Sequence, residues 1–410
     1  SKPDWVSWWG TNYLYDTLLS TDDNETFIPL LAESWETAPD GLTWTVKLRQ
    51  GVTFHDGTPF NAAAVKFNYD RILNDPDSGW NPTFSDDIES VEVVDDATVR
   101  FNLKRNDVFF AFAVLADWGA IQVSPKAIEE YGDDYAKNPN GTGPFLFQSF
   151  EADAQIEYTP NPNYWGGAPA IEGSRVRIIP EASTRNIELQ AGTLDVAFDM
   201  QVQDVQELEG SDVVIEQRFG PQAHFIALNV STGPTAELAV RKAIALATDR
   251  DQMLSQMLAN IPEKSWSGVA KVSPYYDESV PTIEYNPDEA KRLLEEAGWV
   301  AGDDGMRARD GAPLKVIILS TDYATWNQFN QIIQEQLRAV GIDSDLQTLE
   351  WGSYLDKWRD TDEWHVSFHN QGGGFHTTNI AYASVNPDDF WSINHIKRST
   401  DPELMAVADK

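Results

Sequence analysis

The chain has 410 residues, no Cys, and a formal net charge of −35 from 30 Lys and Arg against 65 Asp and Glu. With 41% hydrophobic and 11% aromatic residues it is no disordered chain, and its length implies two or three domains. The missing Cys excludes disulfides, Cys-ligated zinc, iron–sulfur clusters and thiol nucleophiles, and the acidic excess argues against nucleic acid or anionic membrane as a partner.

The chain starts at Ser1 with no signal-like apolar stretch after it, so any targeting peptide is expected to have been removed. The longest apolar run, residues 108–116, is too short to span a bilayer. Residues 43–49 alternate, with Trp44, Val46 and Leu48 on one face, which predicts a half-buried strand. His55 to Pro59 read as a turn. Asn61 then caps a helix whose inner side carries Val65, Tyr69 and Ile72. Residues 91–94 and 98–103, joined by Asp95-Asp96, predict a hairpin. Together these suggest a small β-rich unit within residues 36–165.

Farther along, a strand over 225–229 and one helix over 235–259 open a second α/β unit. Asn286 caps a helix with Pro287 in its first turn and Ala290, Leu293, Leu294 and Ala297 as its buried stripe; Gly298 stops it. The spacing of Phe329, Ile332, Ile333, Leu337 and Val340 predicts a helix over 325–340, and residues 342–349 read as the next strand. Alternation of this kind argues α/β. Phe219-Gly220-Pro221 is the expected crossing between the two halves.

No catalytic constellation stands out. The G-x-S-x-G, H-E-x-x-H, P-loop and G-x-G-x-x-G patterns are all missing. Acidic pairs such as Asp86-Asp87 and Asp388-Asp389 read as surface in a chain with 65 acids. His365, His369, His376 and His395 fall in one short span; they could hold a metal or simply hydrogen-bond in polar loops.

Several stretches, taken in order, resemble the dipeptide/oligopeptide/nickel-binding class of extracellular solute-binding proteins that serve ABC transporters, solute-binding protein family 5. They are Tyr15-Asp16-Thr17-Leu18-Leu19, Pro29-Leu30-Leu31-Ala32-Glu33-Ser34-Trp35, and the run from Lys47-Leu48-Arg49 through His55-Asp56-Gly57 to Phe60. Gly141-Thr142-Gly143-Pro144-Phe145, Asn161-Pro162-Asn163-Tyr164-Trp165 and Leu189-Gln190-Ala191-Gly192 follow. Val240-Arg241-Lys242-Ala243 to Asp249-Arg250, the Asn286 helix and Leu349-Glu350-Trp351 complete the series. Most of these read as turns, caps and core, His55-Asp56 included.

The resemblance implies an α/β, two-lobed periplasmic-binding-protein fold of type II, cluster C-like, with an extra β-rich subdomain inserted in lobe I. Residues 1–35 and 166–219 would form the lobe I core, 36–165 the insertion and 220–410 lobe II, with the C-terminal return to lobe I missing. It also implies the role: a binding component, not an enzyme, that captures a solute between the lobes and hands it to permease subunits. No cofactor is expected, and a monomer is. The place of work would be the periplasm or cell exterior, with anchoring through a removed N-terminus left open.

By the same resemblance, ligand contacts should come from Trp8, Trp9, Gly10, Thr11 and Asn12, from Trp326 and Trp351, and from a loop carrying His369, Asn370, Gln371, Gly372, Gly373 and Phe375. In peptide-binding members that loop supplies an Asp for the peptide's ammonium group. Here Gly372 to Gly374 stand in its place, and no carboxylate follows until Asp388. A buried ammonium without a counter-ion costs several kcal/mol, so peptide-like and oligosaccharide-like solutes stay open at this point. A metal chelate held by His369 and His376, or a sensory role, is the alternative.

Overall fold

The computed structural model describes residues 10–371, apart from 11, 23–25, 77, 79, 108–109, 117, 199, 201, 217–222, 259–263 and 267–275. Up to Met200 these residues form one compact unit, and those beyond it form a second. The expected crossing at residues 219–221 lies outside the described residues, as do Trp8, Trp9, Thr11, Gly372, Gly373, Gly374, Phe375 and His376.

In the first unit, β1 (Leu19–Thr21) and β2 (Phe27–Pro29) make a short antiparallel pair. β3 (Ala32–Thr37), β4 (Thr43–Leu48), β5 (Ile88–Asp95) and β6 (Thr98–Leu103) form an antiparallel sheet in the order β3-β4-β6-β5. The alternation of β4 buries Val46 and Leu48, as the sequence predicts, and the expected hairpin is β5 and β6.

Helix α1 (Ala62–Leu73) covers this sheet. Asn61 starts it by accepting a hydrogen bond from the Ala64 N–H at 3.0 Å. Its Tyr69 lies edge-on to Phe101, 4.9 Å between centroids, and stacks on Phe84 of α2 (Asn81–Asp87). The buried Tyr69 hydroxyl donates to the Val114 carbonyl at 2.7 Å. α3 (Pro125–Tyr131) leads on to a three-stranded sheet of β7 (Phe145–Glu151), β8 (Gln155–Pro160) and β9 (Ser174–Arg177), and α4 (Ala182–Gln190) follows.

The second unit begins with α5 (Val202–Leu208) and β10 (Ala223–Leu228). The single helix expected over 235–259 is broken into α6 (Leu238–Ala247) and α7 (Arg250–Leu258). At the break Thr248 is extended, with its hydroxyl donating to the Ile244 carbonyl at 2.9 Å. Asp249 then accepts from the Gln252 N–H and starts the second helix. Local side-chain bonding of this kind competes with the helix ladder and is invisible to apolar periodicity.

α8 (Pro287–Glu296) follows the sequence reading closely: Asn286 accepts from the Glu289 N–H, Ala290 and Leu294 are buried, and Gly298 takes φ +86° just past the end. A small sheet of β11 (Val300–Ala301), β12 (Arg307–Arg309) and β13 (Ala312–Pro313) comes next. The main sheet then forms from β14 (Lys315–Thr321), β15 (Asp343–Leu349), β16 (Val366–Gln371) and β10, in the order β10-β16-β14-β15. β14 runs parallel to β15 and β16, and β10 is antiparallel to β16.

Two helices cross this sheet. α9 (Ala324–Ala339) joins β14 to β15, and α10 (Trp351–Asp360) joins β15 back across β14 to β16. Because the steps run in opposite directions, right-handed crossovers place the helices on opposite faces. Side chains agree: Phe368 stacks on Phe329 of α9 at 4.3 Å, while its neighbours Ser367 and His369 reach Tyr354 of α10. α9 is held by the buried Asn330, whose amide donates to Ser320 Oγ and accepts from the Phe368 N–H at 3.0 Å.

Candidate functional site

The adjacent parallel strands β14 and β15 send their carboxyl ends to helices on opposite faces. This is the switch point at which open α/β sheets leave a crevice for ligands. Parallel pairing brings the end of β16 to the same edge, and antiparallel pairing brings the start of β10 there, with Phe225 opposite His369 and His224 opposite Asn370. Of the residues singled out from sequence, Trp326, Trp351, His369, Asn370 and Gln371 are thus gathered at one edge of one sheet.

That edge is built of rings. Glu350 accepts from the Ser353 N–H and starts α10, so Trp351 is the first helical residue. Its half-buried indole lies between Tyr323 and Tyr354, stacked on the first at 5.5 Å and 20° and on the second at 5.6 Å and 13°. Trp326, in the first turn of α9, stands edge-on to Trp351 at 6.0 Å and to His369 at 5.3 Å. It is 8% exposed and forms the floor, whereas Tyr323 is 43% exposed and forms the outer ledge. Tyr323 and Tyr354 were missed from sequence. The signal for Tyr323 was its place between an apolar strand and an amphipathic helix, the junction at which such crevices form.

His369 was expected in a loop with Asn370 and Gln371; all three instead belong to β16. The reason is pairing on both sides: β16 fills the gap between β10 and β14. The imidazole is 2% exposed and stacks on Trp358 at 4.8 Å. Burial lowers its pKa to about 3, with nearby His224 adding to the effect, so the ring is neutral.

A chain of hydrogen bonds assigns its tautomer. Ser367 Oγ donates to the Phe368 carbonyl, which makes it the acceptor of the Tyr354 hydroxyl at 2.9 Å. Tyr354 in turn accepts from His369 Nδ1 at 3.2 Å. Nε2 is left as an acceptor, with no hydrogen-bond partner among the described residues. His365, by contrast, accepts from the Ile317 N–H at Nδ1, and its Nε2 abuts Gly233, where a Cβ would sit 2.1 Å away. It serves packing. Among the described residues no three His, Cys, Asp or Glu side chains are grouped as for a metal ion.

In the first unit, Gly10 is buried in a helical turn against Tyr158, whose hydroxyl oxygen would stand 2.6 Å from a Cβ at that position. Asn12 is exposed. The resemblance motifs converge nearby on Asp16, which is 6% exposed. Its carboxylate accepts from Thr142 Oγ1, Trp165 Nε1 and the Tyr164 hydroxyl. Burial raises its pKa and these donors oppose the rise. Arg49 stacks over Trp165 at 4.3 Å. Gly143 is obligatory here, since a Cβ would lie 2.5 Å from the Leu14 carbonyl carbon. His55 contacts Gly141 and Gly143, and Asp56 closes the turn on Thr58. These motifs hold the fold together.

An open α/β unit with an aromatic cluster at the carboxyl ends of its strands suits a ligand-binding protein. The profile of "Bacterial extracellular solute-binding proteins, family 5 Middle" matches residues 26–390, and the chain belongs to this family. It is 31% identical over 370 residues to di/tripeptide-binding protein 2 of Pseudomonas aeruginosa (strain UCBPP-PA14), covering 84% of this chain and 68% of that one. Two solved structures are similar with a TM-score of 0.81. One is NikA from Brucella suis in complex with Fe(III)-EDTA, 28% identical, covering 100% of this chain and 86% of that one. The other is the periplasmic binding protein DppA from Helicobacter pylori in complex with the peptide STSA, 26% identical, covering 99% and 85%. The chain spans 64% to 68% of the length of the first curated relatives. Among the described residues no helix is long and apolar enough to cross a membrane.

Proposed function

We propose that this chain is the solute-capturing component of an ABC importer, which binds a small peptide-like solute and delivers it unchanged to permease subunits. The observation that carries the reading is the cluster of rings at the carboxyl edge of β14 and β15. It gathers residues expected to touch ligand and offers aromatic surface with few polar groups, the usual make-up of a small-molecule site. The names of similar proteins favour a peptide-like solute over an oligosaccharide-like one. We assign no catalysis. The site's titratable ring, His369, is neutral and buried, and the hydroxyls linked to it, those of Tyr354 and Ser367, are buried and engaged with each other. The protein would act outside the cytoplasm as a monomer, free or tethered through a segment ahead of Ser1.

Within the crevice Trp351 is the principal contact, with Trp326 and His369 beneath it. The family resemblance adds Trp8, Trp9, Gly10, Thr11, Asn12, Asn370, Gln371, Gly372, Gly373 and Phe375 as further proposed ligand contacts, on the ground of sequence. A second reading, a metal chelate as solute, draws support from the acceptor at His369 Nε2 and from the likeness to NikA. Replacing Trp351 by Ala tests the assignment. Binding of a di- or tripeptide panel, followed by thermal shift and calorimetry, should weaken at least about tenfold, since a buried aromatic anchor contributes about 2 kcal/mol or more. Unfolding should change less, because the ring is only half-buried. Equal affinity in the variant would remove Trp351 from the site.

A further inference from the structure

Away from the rings, at the opposite end of β15, a cavity of about 270 Å³ opens between α9 and the sheet. One wall is a stripe of α9, Gln331, Gln334, Glu335 and Arg338, whose spacing of three and four puts them on one helix face. The other wall is the start of β15, Asp343 and Ser344. β15 is the edge strand of its sheet, so among the described residues no further strand covers this side. The walls meet at a tight turn, where Gly341 takes φ +88° and a Cβ would lie 2.7 Å from the Gly305 carbonyl oxygen. Gln334 ties them together, its Nε2 donating to the Ser344 carbonyl at 3.3 Å. At about 3.3 Å per residue, the length of β15 sets this cavity roughly 20 Å from the ring cluster.

Glu335 and Arg338 stand three apart on one helix, where opposite charges ordinarily pair. Arg292 shows that outcome: it bridges Glu289, three before it, and Glu296, four after it. Among the described residues Glu335 and Arg338 make no ion pair, with each other or with any neighbour, and both line the cavity. Asp343 is already engaged, since its Oδ1 accepts from the Ser344 N–H at 2.9 Å and its Oδ2 faces Lys315 at 3.5 Å. This leaves one uncommitted anion and one uncommitted cation on the same cavity, beside the Gln331 amide. We infer that the cavity is a second binding site, made for a free α-amino acid as its zwitterion. The ligand's carboxylate takes the fork of Arg338, which presents paired donors. Its ammonium takes Glu335, and the Gln331 amide serves either end. An anion alone would meet the like charge of Glu335, and a cation alone that of Arg338. At roughly 30 Å³ per water the cavity holds about nine waters, which suits an amino acid with a small side chain. The inference stands apart from solute capture at the rings and does not depend on it.

Calorimetric titration of the whole chain with L-alanine and L-serine tests this, alongside N-acetyl-L-alanine and L-alanine methyl ester, which each lack one charge. The protein is used unmodified and as Arg338→Gln, Glu335→Gln and Trp351→Ala. The first two positions are exposed on the outer face of α9, so the fold tolerates the change. Both free amino acids should bind the unmodified protein saturably at millimolar concentration or below. Blocking either end of alanine should weaken binding by about ten- to a hundredfold, the usual worth of a hydrogen bond to a charged group. Arg338→Gln and Glu335→Gln should each cost the free amino acids a similar factor, and Trp351→Ala should cost them nothing. If Trp351→Ala abolishes the binding, the amino acids occupy the ring cluster and the second site is wrong. Equal affinity in Arg338→Gln and Glu335→Gln, or no saturation of the unmodified protein, overturns it too. Solute capture at the rings is tested separately by the peptide panel and survives those last two results.

Discussion

At the scale of single residues, His369 carries the most specific consequence. Its folded pKa of about 3 lies below the ordinary 6.5 because burial disfavours the charged ring. The unfolded chain therefore binds a proton first as pH falls. The stability this neutral ring contributes is present above pH 6.5 and is lost as pH drops toward 3. Asp87 has the opposite sign. Burial and neighbouring Asp107 raise it to about 6, so its contribution is full below pH 3.8 and is lost as pH rises through 6. Imidazole NMR should show His369 neutral and Nδ1-protonated at pH 5; a signal titrating near 6.5 would break the assigned hydrogen-bond chain. Caps such as Asn61 and Asn286 were legible in sequence because the cap and its partner lie three residues apart. Tyr354 was not. Its role depends on Ser367 and His369, which only the crossover brings to it.

Elements were legible to the extent that their signals are local. The β4 alternation, the hairpin and the stripe of α8 each declare themselves within a dozen residues. The break between α6 and α7 did not, since Thr248 and Asp249 interrupt an apolar pattern that continues on either side. The extension of β16 to Gln371 was likewise hidden, because a strand's end is set by its neighbours. What locks the site's elements is Asn330, which ties α9 to β14 and β16 with no exposed surface. Asn330→Leu leaves the Phe368 N–H buried and unpaired. It should lower unfolding free energy by about 2 kcal/mol in urea titration, and it should weaken binding through the displaced Trp326. A variant as stable as the parent would mean the amide is not the lock.

For the whole molecule, 65 acids against 30 bases set a self-repulsion that salt relieves at constant pH. Screening shortens from about 10 Å at 0.1 M to about 3 Å at 1 M ionic strength. The melting temperature should therefore rise between these salt concentrations, and rise with sodium chloride more than with sucrose at matched osmolality. No difference would mean the surface charges are already balanced in the fold. Family membership and the α/β class were readable from ordered motifs, yet several motif residues, Thr142, Tyr164 and Trp165, serve to hold Asp16 in place. The aromatic cluster was only half-readable: Trp326 and Trp351 stood out, while Tyr323 gained meaning from the strand order. The central claim is capture without chemistry. Its most direct test is equilibrium titration with di- and tripeptides, followed by mass analysis of the recovered solute. The account predicts saturable binding, a melting temperature that rises with ligand, by roughly 2.7 kcal/mol of stabilisation at a hundred times the dissociation constant, and solute returned intact. Solute returned cleaved, or no binding anywhere in the panel, would contradict it.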